Sequence, residues 1–368
     1  VCPLGIELAE IFRQHGPTYR DKFNGRIPAS HLEVMQAIEQ CRTEALGGHV
    51  YVCDECGQTR YSYHSCKNRH CPKCQNEAGQ EWLARQSELL LPVPYFMVTF
   101  TLPEGLRAVA RSHQRVVYDL LFQSSAAALQ ELAADPRFVG GQIGFLGVLQ
   151  TWTRAQLYHP HVHYLVPGGG LSADGQSWRR ARNAFFVHVK PLSRLFRGKF
   201  RTALKQTGLF EQVPAQVWSQ EWVVHCQPVG TGEAALKYLA PYIFRVALSN
   251  HRILKLQDGQ VTFRYRETGS RRWKNCTLPA EEFIRRFLQH VLPKGFQKVR
   301  YYGLFSSSQR PRLAQARHLL GLTAATPPTD RAETPTHPGP TPAVIRCPTC
   351  DRPMRQTQTL RPSHCRSP

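Results

Sequence analysis

The sequence predicts an α+β chain whose sheet is covered on one side, and three observations predict it. Apolar runs of strand length alternate with amphipathic segments of helix length through the middle of the chain, and no Gly-rich nucleotide-binding turn joins them. Seven of the twelve cysteines fall by residue 74, in pairs with metal-ligand spacing. Beyond residue 322 apolar periodicity stops and Pro, Thr and Ala dominate.

Taken in order, residues 6–15 and 30–43 carry apolar side chains at helical spacing, with Ser30 as the cap of the second helix. They feed a cysteine-rich module. Cys53-x-x-Cys56 and Cys71-x-x-Cys74 read as the two knuckles of a zinc ribbon, since four thiolates in this pattern suit tetrahedral Zn²⁺. Cys41, His49, Cys66 and His70 again place two ligand types before each knuckle and would complete a second, interleaved site; His31 and His64 are alternative ligands. Residues 76–91 read as a connecting helix. Pro94 then opens the central region, where 95–101 has the pattern of a buried strand and 106–134 that of one long or two broken helices. A strand at 142–152 leads to the histidine-bearing strand at 158–166. Helices at 192–207, 233–249 and 280–291 and strands at 222–227 and 261–266 follow.

The chemistry concentrates in two of these elements. A strand places alternate residues on one face, so His161 and His163 project together while Val162 turns into the core. Two histidines so placed are half of a metal site. Pro167-Gly168-Gly169-Gly170 follows as a loop in which backbone could approach a ligand closely. Tyr238 and Tyr242 stand four apart on a helical segment and share a face, so they would offer two phenols to one phosphate, and Pro241 between them bends the helix. For a third metal ligand His159, Glu233 and Gln156 remain open.

Composition agrees with a polyanionic partner. The chain carries 47 Lys plus Arg against 26 Asp plus Glu, a formal charge of +21. That surplus is the electrostatic footprint of nucleic acid. Lys237 stands just before Tyr238, the tyrosine segment runs on through Arg245 and Arg252, and Arg179 and Arg180 lie beside Trp178. Phe263-Arg264-Tyr265-Arg266 and Arg271-Arg272-Trp273-Lys274 interleave guanidinium groups with rings in the way that suits unpaired, stacked bases. The longest apolar stretch, 89–102, contains two prolines and is too short to span a bilayer, and no basic-then-apolar leader opens the chain. The expectation is a soluble, cytoplasmic protein without a membrane partner.

Four segments result: a helical and zinc-binding domain at 1–90, a catalytic domain at 91–310, a disordered linker at 311–345, and a C-terminal knuckle at 346–368 in which Cys347, Cys350, His364 and Cys365 would close a small zinc site.

The ordered motifs resemble those of insertion sequence 91-type transposases. Leu46-Gly47-Gly48-His49 through Cys53-Asp54-Glu55-Cys56-Gly57 and Ser65-Cys66-Lys67-Asn68-Arg69-His70-Cys71-Pro72-Lys73-Cys74 match the zinc-binding domain of that family. Phe100-Thr101-Leu102-Pro103, His159-Pro160-His161-Val162-His163, Tyr238-Leu239-Ala240-Pro241-Tyr242 and Arg300-Tyr301-Tyr302-Gly303 match its catalytic domain. The resemblance covers the chain to about residue 310. It implies an antiparallel-sheet nuclease of the His-hydrophobe-His class that cuts single-stranded DNA in rolling-circle transposition. His161 and His163 would then hold Mg²⁺ or Mn²⁺, with Tyr238 and Tyr242 as nucleophiles. A plasmid relaxase or replication initiator would share the chemistry, and a catalytically silent DNA-binding descendant would share the surface.

Overall fold

The computed structural model describes residues 5–74, 82, 86, 89–182, 186–232, 234–237, 248–266, 272–322 and 344–362. Helix α1 (Leu8–Lys22) buries Leu8, Ile11, Phe12 and Tyr19, an i, i+3, i+4 stripe. The sequence reading stops this helix at residue 15, before Gly16-Pro17, but the helix continues through Pro17. Burial of Tyr19 and the 2.8 Å Arg20–Glu39 ion pair hold the last turn. Helix α2 (Ala29–Gln40) starts after Pro28, so Ser30 lies inside the helix and is not its cap. Cys41 turns the chain into extended backbone there. Strands β1 (Gly48–Val52) and β2 (Thr59–Tyr63) pair antiparallel around the first Cys-x-x-Cys. Of the expected connecting helix at 76–91, Trp82 and Gln86 are helical, residues 89–91 are not, and the rest lies outside the described residues.

Strand β3 (Pro94–Thr101) enters the central body, and residues 106–134 form two helices, α3 (Arg107–Ser112) and α4 (Gln114–Ala134), broken at His113. Next come β4 (Gly144–Trp152) and β5 (Tyr158–Pro167). The Gly-rich stretch is largely strand and not the expected loop. Gly169–Leu171 form β6, which pairs with β7 (Trp178–Arg180), and a Cβ at Gly169 would stand 2.6 Å from the Arg179 carbonyl oxygen. The close backbone approach that glycine permits there is to a neighbouring strand.

Helix α5 (Val189–Lys205) buries Leu192, Phe196, Phe200 and Leu204 at spacing four, each burial contributing roughly 1.5–3 kcal/mol before entropy. The short α6 (Gln216–Ser219) leads to β8 (Val224–Thr231). Residues 234–237 are helical, as expected for the start of the 233–249 helix, while 238–247 lie outside the described residues. Strands β9 (Ile253–Gln257), β10 (Gln260–Arg266) and β11 (Trp273–Pro279) form a meander, followed by α7 (Ala280–Leu288), β12 (Val299–Gly303) and α8 (Arg310–Leu319). Residues 310–319 are therefore an ordered helix, with Leu313 and Ala316 buried, where the sequence reading places the start of a linker. Strand β13 (Arg355–Leu360) pairs with β1 from the other end of the sequence, from Gly48↔Leu360 to Val52↔Arg355.

The central sheet has the order β12-β4-β5-β3-β8 with every pairing antiparallel, in keeping with the α+β class. One face is covered by α3, α4 and α5 over a core that includes Phe100, Phe122, Val162, Tyr164 and Phe196. The other face is apolar at one end, where Met97, Leu146 and Leu165 join Leu313, Ala235 and Leu236. A separate core joins α1, α2, the β9–β11 meander and α7, with the Phe12 and Phe287 ring centroids 5.5 Å apart. Among the described residues, no helix is long and apolar enough to cross a membrane.

Candidate functional site

Pairing register decides what shares a face with the histidines. His161 lies opposite Thr101 on β3 and Gln150 on β4, and His163 lies opposite Thr99 and Val148. Directly paired residues point to the same side of a sheet. The second face therefore grades from the apolar end at Met97 and Leu165 into a polar end of Thr99, Thr101, Gln150, His161 and His163. Val162 between the histidines is fully buried under the helices, as its alternation predicts. The two rings stand edge to face, 4.8 Å between centroids.

Each ring is anchored through Nδ1. His161 Nδ1 donates to the His159 carbonyl at 2.6 Å, which leaves Nε2 as the lone-pair nitrogen. His163 Nδ1 is 2.9 Å from the Thr99 hydroxyl. Burial pushes the His161 pKa down to about 4, and burial together with His161 pushes that of His163 well below its usual value, so both imidazoles are neutral near pH 7. His159 behaves differently. A guanidinium has no acceptor, so the 3.0 Å contact from Arg107 makes His159 Nδ1 the acceptor and places the ring proton on Nε2. In this arrangement His159 offers an N–H where a metal ligand offers a lone pair. Gln156 is buried in the β4–β5 connection, where its carbonyl accepts from Gln289 at 3.1 Å. Glu233, Tyr238, Tyr242 and Arg245 lie outside the described residues. Ala235 and Leu236, just before Tyr238, share the buried cluster of Met97, Val148 and Leu165 on the histidine face.

The cysteines assemble differently from the sequence reading. Among the described residues, two groups bring their sulfurs within 4.8 Å of one another: Cys41, Cys66, Cys71 and Cys74, and Cys53, Cys56, Cys347 and Cys350. The pairs Cys53–Cys56 and Cys71–Cys74 thus fall in separate groups, because the β1–β2 hairpin carries the first pair away from the helices against which the second is buried. In the first group Cys41–Cys74 and Cys66–Cys74 are 3.6 Å apart. Zinc–sulfur bonds of about 2.3 Å at tetrahedral angles put sulfurs roughly 3.8 Å apart, whereas a disulfide is about 2.05 Å. Hydrogen bonds from Cys66 and Cys71 lower the Cys41 thiol pKa, while Cys41 raises that of Cys66. Four thiols competing over shared negative charge are what a dication neutralises.

The expected histidine ligands lie elsewhere. His49 sits on the strand pair, with Nδ1 3.1 Å from Gln356 Nε2, and His70 Nε2 accepts from the Leu292 amide at 3.5 Å. His64 faces the His49 ring, and His31 lines a cavity between the N-terminal helices and α4. Arg69 donates to the Phe296 carbonyl at 2.7 Å, so the Cys71–Cys74 loop is tied to the body that carries the histidine sheet.

Cationic groups differ in how far they reach the surface. Arg252 donates to the Arg264 and Arg154 carbonyls at 2.9 and 2.7 Å and so braces the meander. Arg179 and Arg180 are exposed on β7, beyond the end of β5 remote from His161, and Lys237 is exposed. The solvent face of the meander carries Lys255, Arg264, Arg266 and Trp273, the last 55% exposed with the Arg264 guanidinium 5.1 Å from its ring centre. A cavity of about 590 Å³ between the N-terminal helices and the α3–α4 turn is lined by Arg26, Arg111, Arg115 and Arg285. Arg111 also lies over the Tyr158 ring, 5.2 Å away, which connects this basic cleft to the start of the histidine strand. Sequence reasoning missed Thr99, Arg107 and the union of Cys347 and Cys350 with Cys53 and Cys56. Alternation marks Thr99 as facing the histidine side once register is known, but register itself has no local signal.

Comparison with known proteins agrees with these features. A family model described as a putative transposase matches residues 144–312, and one described as a transposase zinc-binding domain matches residues 11–102. A putative transposase, y4qJ, from Sinorhizobium fredii is 44% identical over 344 residues, covering 88% of this chain and 86% of its own length. The transposase for insertion sequence element IS801 from Pseudomonas savastanoi pv. phaseolicola is 27% identical over 300 residues, covering 77% of this chain and 72% of its own. No solved structure matches. With the zinc-binding module, the antiparallel histidine sheet and a relative this similar along nearly its whole length, the chain belongs to the family of insertion sequence 91-type transposases.

Proposed function

We propose that the chain nicks single-stranded DNA at element ends through a tyrosine nucleophile and moves the strand by rolling-circle transposition. The observation that carries the reading is the His161–His163 pair: two neutral, buried imidazoles on one sheet face, each fixed through Nδ1. With the Nδ1 proton of His163 donated to the Thr99 hydroxyl, both Nε2 atoms present lone pairs, the donor set that holds a divalent ion. Mg²⁺ or Mn²⁺ held there would polarise the scissile phosphate and offset its charge as the transition state forms.

The chain supplies the remaining chemistry. The phenolate of Tyr238 or Tyr242 attacks phosphorus, an O–P bond forms, and the bond to the departing 3′ oxygen breaks. That oxygen takes up a proton as the free 3′ hydroxyl, and the 5′ end remains as a phosphotyrosine. Bond energy is retained in the ester, so strand transfer requires no nucleotide hydrolysis. The second tyrosine can accept a second strand while the first is loaded. Burial of Ala235 and Leu236 against the histidine face supports this role, because Tyr238 follows one residue after Lys237. The basic cleft running from Tyr158 toward α1 and α2, and the Arg264–Trp273 face, suit the path of a single strand. Zn²⁺ at Cys41, Cys66, Cys71 and Cys74 would fix the N-terminal module on the body that bears the histidines.

The test is incubation of purified protein with labelled single-stranded oligonucleotides from the element ends, with Mg²⁺ or Mn²⁺, followed by denaturing electrophoresis. A metal-dependent protein–DNA adduct that disappears in the Tyr238→Phe/Tyr242→Phe double variant is expected, and the single variants identify the initiating tyrosine. Binding without any adduct on authentic ends would overturn the catalytic reading and leave a DNA-binding protein.

A further inference from the structure

The second cysteine group joins the two ends of the chain. Cys53 Sγ is 3.5 Å from Cys350 Sγ, Cys56 Sγ is 3.5 Å from Cys347 Sγ, and Cys56 Sγ is 3.7 Å from Cys350 Sγ. These separations match sulfurs around one tetrahedral ion and exceed any disulfide. The zinc-binding family match ends at residue 102, so half of this group lies well outside it.

A second observation, independent of the sulfurs, points to the same ligand. The two Cys-x-x-Cys turns repeat one backbone design. The Gly57 amide donates to the Cys53 carbonyl at 2.9 Å and the Cys53 amide to the Gln58 carbonyl at 3.0 Å; the Asp351 amide donates to the Cys347 carbonyl at 2.9 Å and the Cys347 amide to the Arg352 carbonyl at 2.8 Å. The residue after each second cysteine has positive φ, 70° at Gly57 and 55° at Asp351. Aspartate is among the few non-glycine residues that adopt this conformation readily, so both turns can hold the same shape. Paired turns of this shape, facing each other with four sulfurs between them, form a zinc ribbon whose halves come from opposite ends of the chain.

Strand pairing extends the union. Strand β13 runs antiparallel to β1 from Gly48↔Leu360 to Val52↔Arg355, giving a three-stranded sheet in the order β13-β1-β2. Gly47 allows this contact, since a Cβ there would stand 2.5 Å from the Leu360 carbonyl oxygen, and Gly48 allows the approach of β2 on the other side, where a Cβ would stand 2.4 Å from the Ser62 carbonyl oxygen. Arg355 adds an ion pair to Asp54 at 2.9 Å. The C-terminal segment is thus the third strand of the N-terminal ribbon, in contrast to the self-contained knuckle with His364 and Cys365 that the sequence suggests; those two residues lie outside the described residues.

We infer that Cys53, Cys56, Cys347 and Cys350 bind one Zn²⁺, which clasps the C-terminal strand onto the N-terminal ribbon. The inference is independent of the nuclease reading, because its readout is metal content and thiol accessibility. The full-length protein is purified without chelator, and zinc is counted by elemental analysis alongside the Cys347→Ser/Cys350→Ser and Cys53→Ser/Cys56→Ser double variants. Expected are two zinc ions per wild-type chain and one in each variant. In the folded Cys53→Ser/Cys56→Ser variant, Cys347 and Cys350 should become reactive to an alkylating reagent that leaves them untouched in the wild type. Two zinc ions retained in the Cys347→Ser/Cys350→Ser variant would overturn the inference. So would Cys53→Ser/Cys56→Ser protein that keeps two zinc ions with Cys347 and Cys350 protected, since the C-terminal pair would then bind metal without the ribbon.

Discussion

Replacing Thr99 by valine tests whether the histidine pair is oriented for metal. The side chain is nearly isosteric and keeps the β-branched shape that a strand favours, and the backbone ladder of β3 is untouched. What is lost is the hydroxyl 2.9 Å from His163 Nδ1. Without it the ring can adopt the other tautomer or rotate, and Nε2 no longer presents a fixed lone pair. Removing such an outer partner of a ligating histidine costs about 10–100-fold in metal affinity or activity, or roughly 1.4–2.7 kcal/mol. Stability should change by only about 1 kcal/mol, the value of one hydrogen bond. The assay is adduct formation on a single-stranded end oligonucleotide, titrated with Mn²⁺. Thr99→Val should shift the half-saturating Mn²⁺ concentration upward by that factor while the plateau stays within a few-fold, and Thr99→Ser should restore the wild-type curve. An unchanged titration in Thr99→Val, beside a His163→Ala protein that has lost activity, would refute the orienting role.

Three further expectations follow from the same structure. Gly147→Ala would place a Cβ 2.4 Å from Cε1 of Tyr164, whose hydroxyl is held by Ser125 at 2.7 Å; the ring cannot retreat, and thermal unfolding should show a loss of about 1–3 kcal/mol or more. His290 is 2% exposed between Thr151 and the Gln156 carbonyl, and burial lowers its pKa to about 3. Because the unfolded chain takes up this proton near pH 6.5 and the folded chain only near 3, stability is full above pH 6.5 and falls as pH drops through that window, by several kcal/mol as an order of magnitude. Denaturant titrations between pH 7 and 4 should show a shallower fall in His290→Gln than in the wild type. Trp273→Ala should weaken binding to a single-stranded oligonucleotide by about 1–3 kcal/mol in fluorescence anisotropy if a base stacks on the exposed ring, and should leave the zinc content unchanged.

The parts legible in the sequence are those with a local cause. Alternation alone placed Val162 in the core and His161 and His163 opposite it, and spacing alone anticipated a helix at 192–207, where α5 runs from Val189 to Lys205. Breakers misled where tertiary contacts override them: Gly16-Pro17 is carried through α1 by Tyr19 and the Arg20–Glu39 pair. The grouping of cysteines failed for a different reason. Every Cys-x-x-Cys is an equivalent half-site, and which halves meet depends on the pairing of β1 with β13 from the far end of the sequence, which no local pattern records. The same holds for Thr99, whose partner is fixed by the β3–β5 register, and for Arg107, which meets His159 only because α3 packs across the start of β5.

Strand β13 imposes an order on synthesis. Cys56 and Cys347 are 291 residues apart, so at about 5–20 residues per second the ribosome delivers the third strand of the ribbon roughly 15 to 60 s after the first two. Throughout that interval β1 has an unpaired edge and the sulfurs of Cys53 and Cys56 lack half of their cluster, while the histidine sheet is already emerging. A message truncated before residue 344 would leave the ribbon in that state for the life of the product, which makes an intact C-terminal end a condition that every finished copy meets and every interrupted one fails.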